Sequence, residues 1–145
     1  MASRREFIQA GFATTVLPMV VSAREVSRQP LFQAQSFYKV VFDQRFPASV
    51  AFARELNQLG APIHAIDGDI TDLWFHELHA VWKKQPVGIA GMTAHGPLFC
   101  LERLGWDYGM RVVFRAEHPA DIDAEPLYSW IIAPKQELLC NYRPA

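Results

Sequence analysis

The sequence lacks the motifs that identify a nucleotide-binding protein. No Gly-x-Gly-x-x-Gly follows the first predicted strand, and no Gly-x-x-x-x-Gly-Lys-[Ser/Thr] occurs in the 145 residues. These absences disfavour a nicotinamide cofactor and a nucleoside triphosphate, and they leave the cofactor unknown. A Gly-x-Ser-x-Gly elbow is also missing, so a serine hydrolase of that kind is unsupported.

An excess of charge of one sign is lacking too. The chain has 14 Lys and Arg against 15 Asp and Glu, a net charge of −1 with neutral histidines. No basic run occurs beyond residue 23, so we expect no nucleic-acid partner. There are two cysteines, Cys100 and Cys140. A disulfide between them is permitted but not predicted, because pairing depends on a Cα separation that spacing does not supply. Apolar neighbours favour a core position for Cys100.

No apolar run is long enough to cross a membrane as a helix. The longest candidate, residues 11–21, has about 11 residues against the roughly 20 that a span needs. It follows Ser3-Arg4-Arg5-Glu6-Phe7-Ile8-Gln9 and precedes the small residues Ser22 and Ala23. This arrangement is typical of a signal peptide cleaved near residue 24.

The same stretch resembles the twin-arginine signal of bacteria, Ser-Arg-Arg-x-Phe-[Ile/Leu]-Lys, with Gln9 in place of the lysine. The resemblance covers residues 1–23 only. It implies export in the folded state, through the twin-arginine machinery, into the periplasm. It also implies a protein that carries a cofactor or accompanies a larger exported subunit, as such clients often do.

The rest of the chain is predicted to be a linker at 24–36 and a single α/β domain at 37–145. Apolar runs separated by turn residues predict five strands, and helical periods with Pro at the start or Gly past the end predict three helices. The predicted strands are 37–42, 62–66, 86–92, 110–114 and 127–133; the predicted helices are 47–59, 70–84 and 97–108.

Strands that alternate with helices predict a parallel sheet with helices on both sides, a three-layer Rossmann-like or flavodoxin-like fold. No helical period precedes the last strand, and a parallel crossover needs one. We therefore expect four parallel strands and a fifth that runs antiparallel beside the fourth at the sheet edge. The simplest strand order is 2-1-3-4-5.

In such a sheet a ligand binds at the carboxyl ends of the strands, where the strand order reverses. The rule selects polar residues after the first three strands: Asp43, Arg45 and Ser49, then Asp67 and Asp69, then Thr93, His95 and Gly96.

Two chemical interpretations fit these residues. In one, His95 is a general acid or base oriented by Asp43, while Arg45 and the helix N-terminus after Gly96 bind a small anion. In the other, Arg45 merely pairs with Asp43, and His95 or Thr93 caps the helix. Three aspartates, 43, 67 and 69, are also candidates for Mg²⁺ or Ca²⁺. Because turn and capping roles already explain Asp67 and Asp69, we predict no metal site.

The sequence His76-Glu77-Leu78-His79 is one residue short of the His-Glu-x-x-His zinc motif. Helical periodicity places His76 and His79 opposite the apolar face, so we expect solvated side chains. His64 lies within a predicted strand, and we expect a hydrogen-bonded core histidine there.

Two functions remain. The favoured one is a binding or accessory module that docks on a larger periplasmic redox enzyme or holds a small anion. Its candidate docking residues are aromatic: Trp106, Tyr108, Tyr128 and Trp130. The alternative is a small periplasmic enzyme that uses His95, Asp43 and Arg45.

Overall fold

The computed structural model describes residues 26–27, 29–33, 36–120 and 123–135. The proposed signal peptide and Cys140 lie outside these residues. The described elements are helix α1 (Pro30–Gln33), strand β1 (Lys39–Asp43), helix α2 (Pro47–Gln58), strand β2 (Ile63–Ile66), helix α3 (71–84), strand β3 (Ile89–Thr93), helix α4 (His95–Trp106), strand β4 (Met110–His118) and strand β5 (Leu127–Pro134). All eight predicted elements occur, with ends shifted by a few residues.

Local sequence explains where α2 begins and ends. Pro47 occupies the first turn, where its missing N–H leaves no hydrogen bond unmade. At the other end the Gly60 N–H donates to the Asn57 carbonyl at 2.9 Å, and the Ala61 N–H donates to the Leu56 carbonyl at 3.1 Å. This pair of bonds is the Schellman motif, which satisfies the last carbonyls of the helix.

The strand order is β2-β1-β3-β5-β4, so the predicted order 2-1-3-4-5 is wrong for the last two strands. β1 pairs in parallel with β2 and β3, and β5 runs antiparallel to both β3 and β4. The expected antiparallel pairing of the last two strands is therefore confirmed, but β5 is internal and β4 forms the edge. Burial explains this placement. Residues 129–133 of β5 are all buried, whereas β4 carries charged and half-exposed side chains after Met110.

Helices cover both faces of the sheet. Leu73 of α3 and Leu98 of α4 pack on the face that carries Val41, while Phe32 of α1 and Phe52 of α2 pack on the face that carries Val40. The result is three layers. Val26 and Phe32 are buried in the second cluster, so this part of the predicted linker belongs to the folded domain.

Two side chains lie elsewhere than the sequence suggested. Cys100 is exposed on α4 and is not part of the core, because the buried side of that helix is formed by Leu98 and Leu101. His64 is only half-buried, since β2 is an edge strand. None of the described helices combines the length and apolar character that a membrane crossing requires.

Candidate functional site

The predicted site residues lie where the topology rule places them. Asp43 ends β1 and Thr93 ends β3, and these strands are neighbours in the sheet. The strand order reverses between them, so the crevice at their carboxyl ends is the expected ligand position. What the crevice can bind depends on which of its polar groups remain available.

Asp43 and Arg45 bind each other. The Asp43 side chain is fully buried, and its Oδ1 and Oδ2 accept hydrogen bonds from Arg45 Nε at 2.9 Å and Nη2 at 2.7 Å. This bidentate pair raises the pKa of the Arg45 guanidinium above its ordinary value. Both carboxylate oxygens therefore accept hydrogen bonds from Arg45. This contact is the one expected in the second interpretation, in which Arg45 pairs with Asp43.

Ser49 forms a buried bridge between strands. Its Oγ accepts a hydrogen bond from the Asp43 N–H at 2.8 Å and donates one to the Met92 carbonyl at 2.5 Å. The hydroxyl therefore ties α2 to β1 and β3. Both of its contacts are internal, and this is the chemistry of a structural residue.

Asp67 and Asp69 also have local partners. Asp67 accepts a hydrogen bond from the Gln44 side chain at 2.6 Å, which joins the loops after β1 and β2. Asp69 accepts from the Thr71 N–H and hydroxyl at the start of α3, and these bonds lower its pKa. Within the described ranges, no three His, Cys, Asp or Glu side chains are grouped so as to hold a metal.

The residues at the end of β3 and directly after it divide between the core and the surface. Thr93 is buried, and its Oγ1 accepts a hydrogen bond from Trp130 Nε1 at 3.0 Å. His95 and Gly96 are exposed at the first turn of α4, whose N-cap, Ala94, provides no side-chain hydrogen bond. The described part of the chain contains no hydrogen bond between His95 and Asp43. The crevice thus brings together Asp43, Arg45 and Ser49, but not the proposed acid–base pair.

His95 has a different neighbour, Arg115 of the edge strand, which sequence reasoning missed. Its Nδ1 lies 3.3 Å from Arg115 Nη2, and its ring centroid lies 5.9 Å from those of Phe99 and Tyr128. The Arg115 guanidinium is in turn stacked 4.4 Å from the Tyr128 ring centroid.

Similar stacking continues along α4. The Trp106 ring, 44% exposed, lies 4.2 Å from the Arg103 guanidinium and 5.5 Å from that of Arg111, and Phe99 is 50% exposed. We call this surface the arginine–aromatic face; its members are Phe99, Arg103, Trp106, Arg111, Arg115 and Tyr128. Of the predicted docking residues, Trp130 is fully buried and Tyr108 packs against the core, so neither belongs to this face. The sequence carried one signal for this face: positions 99, 103 and 106 are spaced so that they lie on one side of a helix.

Two cavities lie elsewhere. One of about 250 Å³, beside the start of α2, is lined by Phe46, Pro47, His118, Glu125 and Leu127 among others. A larger one of about 350 Å³ lies at the amino ends of the strands and is lined by apolar and uncharged residues, including Phe37 and Leu59. The larger cavity offers no group for acid–base chemistry, so its size alone does not make it a site.

A second ionic cluster joins α3 to β1, away from the carboxyl ends of the strands. Glu77 accepts a hydrogen bond from the Tyr38 hydroxyl at 2.8 Å and forms an ion pair with Lys39. The Lys39 contact is the main reason that the pKa of Glu77 is lowered, and the bond to Glu77 raises that of Tyr38. Burial lowers the pKa of the nearby His64.

Glu77 lies in a π-helical stretch, Trp74–Leu78, within α3. The wider turn rotates the residues that follow it relative to a regular α-helix. His76 is exposed, as expected. His79 is instead half-buried against Trp74 and Tyr108, with ring centroids at 5.2 and 5.9 Å. The expectation of a solvated side chain was therefore wrong for His79.

Comparison with protein families, curated proteins and solved structures gives no match.

Proposed function

We propose that this protein is an exported binding or accessory module that docks on a larger exported protein, such as a periplasmic redox enzyme, through its arginine–aromatic face. The proposal of export is supported by the resemblance of residues 3–9 to a twin-arginine signal. The proposal of docking is supported by one observation: arginines stacked on the exposed ring of Trp106 and the partly exposed ring of Tyr128, without carboxylate partners among the described residues.

This combination suits a protein interface better than an isolated surface. Aromatic residues and arginine are enriched at interfaces, and Trp, Tyr and Arg are enriched among their hot spots. Trp106 and Phe99 leave about half of their surface in water, which a partner would cover at a favourable free energy. A stacked guanidinium keeps N–H groups at its edge, so it can bind a carboxylate of the partner without losing the ring contact.

The uncapped N-terminus of α4 adjoins this face at His95 and Gly96. Backbone N–H groups at a helix N-terminus favour a negative group, and Arg115 adds a positive charge. A small anion or an acidic side chain of the partner would suit this position. The enzyme alternative has less support, because both oxygens of its orienting carboxylate, Asp43, accept hydrogen bonds from Arg45 and neither bonds to His95 among the described residues.

The test is native mass spectrometry of the protein purified from the periplasm of its own host, with two variants. Trp106→Ala should weaken a stoichiometric complex by about 2 kcal/mol, or roughly thirtyfold. Phe75→Ser is the matched control, because Phe75 is 70% exposed but belongs to α3. A protein that always emerges alone, or a complex that both variants leave intact, would overturn the proposal.

A further inference from the structure

Strand β4 forms one edge of the described sheet. It is a nine-residue strand whose only neighbour in the described sheet is β5. Among the described residues, no strand pairs with the backbone groups on its outer side, and such an edge is a template for another strand. The opposite edge strand, β2, has only four residues.

An irregularity divides this edge into two parts. The register with β5 shifts between Val112 and Phe114, which marks a bulge. Beyond it the pairing is regular from Phe114 to His118, and Ala116 is the middle residue of that run.

Charges are arranged symmetrically about Ala116. Arg115 precedes it and Glu117 follows it, both exposed and both on the same face of the sheet because they are two residues apart. Neither forms an ion pair with any other described residue. If two β4 strands pair antiparallel about a two-fold axis at Ala116, residue 115 of one copy lies opposite residue 117 of the other.

From this geometry we propose that β4 pairs with β4 of a second copy of this chain. Each Arg115 lies opposite Glu117 of the second copy, so the two-fold axis generates two complementary charge pairs. The small Ala116 faces its own equivalent at the axis, where a larger side chain would be crowded. On the other face of the sheet Phe114 lies opposite His118 of the second copy. The interface is isologous, as closed dimers require.

The same residues specify the register. A shift of one residue toward the bulge brings Arg115 opposite Ala116 of the second copy. A shift of two residues brings Arg115 opposite Arg115 of the second copy. The equivalent shift in the other direction places Glu117 opposite itself. Like charges directly opposite are destabilising, so only the register centred on Ala116 satisfies both charges.

Pairing of this kind joins two five-stranded sheets into one. Residues directly opposite each other in an antiparallel pair share a face, so both copies of α4 lie on the same side of the joined sheet. The arginine–aromatic face is then present twice on that side. Arg115 also belongs to the arginine–aromatic face, where its guanidinium lies over the Tyr128 ring. The inference does not depend on the docking function, because it uses the β4 edge and the register of its charges, and Glu117 lies outside that face.

Charge exchange tests the proposal. Sedimentation velocity over a range of concentrations should show a reversible dimer of the native protein. Arg115→Glu and Glu117→Arg each place like charges in both symmetric pairs and should weaken the dimer about tenfold. The double variant with both changes restores opposite charges and should recover the native dimer affinity. Arg103→Glu, on α4, is the control that should leave it unchanged.

Hydrogen exchange supplies a second measurement. Backbone amides in 114–118 should become protected as the concentration rises, while those of β2 should not. A protein that stays monomeric at every concentration would overturn the proposal. So would a dimer that both single variants leave intact, or one that the double variant fails to restore. Circular dichroism of each variant distinguishes these results from unfolding.

Discussion

The Asp43 carboxylate is fully buried, and its two oxygens are held by the half-exposed guanidinium of Arg45 at 2.9 and 2.7 Å. A buried carboxylate that loses its cation pays the full cost of desolvation. We therefore expect Arg45→Ala to lower the free energy of unfolding by about 2 kcal/mol, less than for a fully buried pair because Arg45 is half in water. Urea denaturation measures it.

The control for this variant is Gln44→Ala. Gln44 is the adjacent residue and contributes an exposed hydrogen bond to Asp67. Its removal should change the unfolding free energy by less than about 0.5 kcal/mol. Equal losses for the two variants would contradict a structural role for the Asp43–Arg45 pair.

Gly68 leaves room for the Arg45 guanidinium. A Cβ at this position would lie 2.4 Å from Arg45 Nη2, and the backbone has φ +79°. Gly68→Ala should therefore lower the free energy of unfolding by about 1 kcal/mol through backbone strain. Displacement of the guanidinium from Asp43 should lower it by about 2 kcal/mol more. In an Arg45→Ala background the same substitution should lose only the backbone part. A double-mutant cycle by urea denaturation measures the difference, and strict additivity would contradict the contact.

Gly91 allows the Trp130 ring to lie against the centre of the sheet. A Cβ here would be 2.5 Å from the ring and 2.5 Å from the Val41 carbonyl oxygen, and neither group has space to retreat. Gly91→Ala should destabilise the fold by about 3 kcal/mol or more. Gly96→Ala is the matched control, because a Cβ there meets no atom within 4 Å. Thermal denaturation that ranks the two variants equally would be inconsistent with this packing.

Glu77 should make stability depend on pH in the acid range. Its pKa is held below the ordinary value of 4.5 mainly by Lys39, so the ionised form contributes stability above that value. The contribution is lost as the pH falls through the lowered pKa of the folded protein. The free energy of unfolding should therefore fall less between neutral pH and about pH 3 in Glu77→Gln and in Lys39→Gln than in the native chain, as measured by urea denaturation at each pH. Parallel pH profiles of all three proteins would contradict the prediction.

Element types followed from local pattern, whereas strand order did not. Pro47, Gly60 and the helical periods predicted the helices, because caps and amphipathic faces are properties of neighbouring residues. Strand order depends on pairing between distant segments. The difference between the apolar run 127–133 and the charged Arg111, Arg115 and Glu117 could have placed β5 inside and β4 at the edge, since a fully buried strand reads as continuous apolar sequence.

The candidate site shows the same division. Topology correctly brought Asp43, Arg45 and Thr93 to neighbouring strand ends. Sequence does not reveal which donor will bind a given carboxylate. Asp43 binds Arg45, and the polar neighbour of His95 is Arg115. Arg115 was missed because its proximity to His95 depends on β4 and α4 packing together, a contact between residues 20 positions apart.

The insertion of β5 between β3 and β4 also bears on how the sheet is completed. β4 precedes β5 along the chain, yet β5 is its sole neighbour in the described sheet. When the polypeptide emerges from the ribosome, residues 110–118 have no strand to join until 127–134 have followed. β4 therefore joins the described sheet together with β5 or after it, and a chain that stops before residue 127 lacks the strand with which β4 pairs.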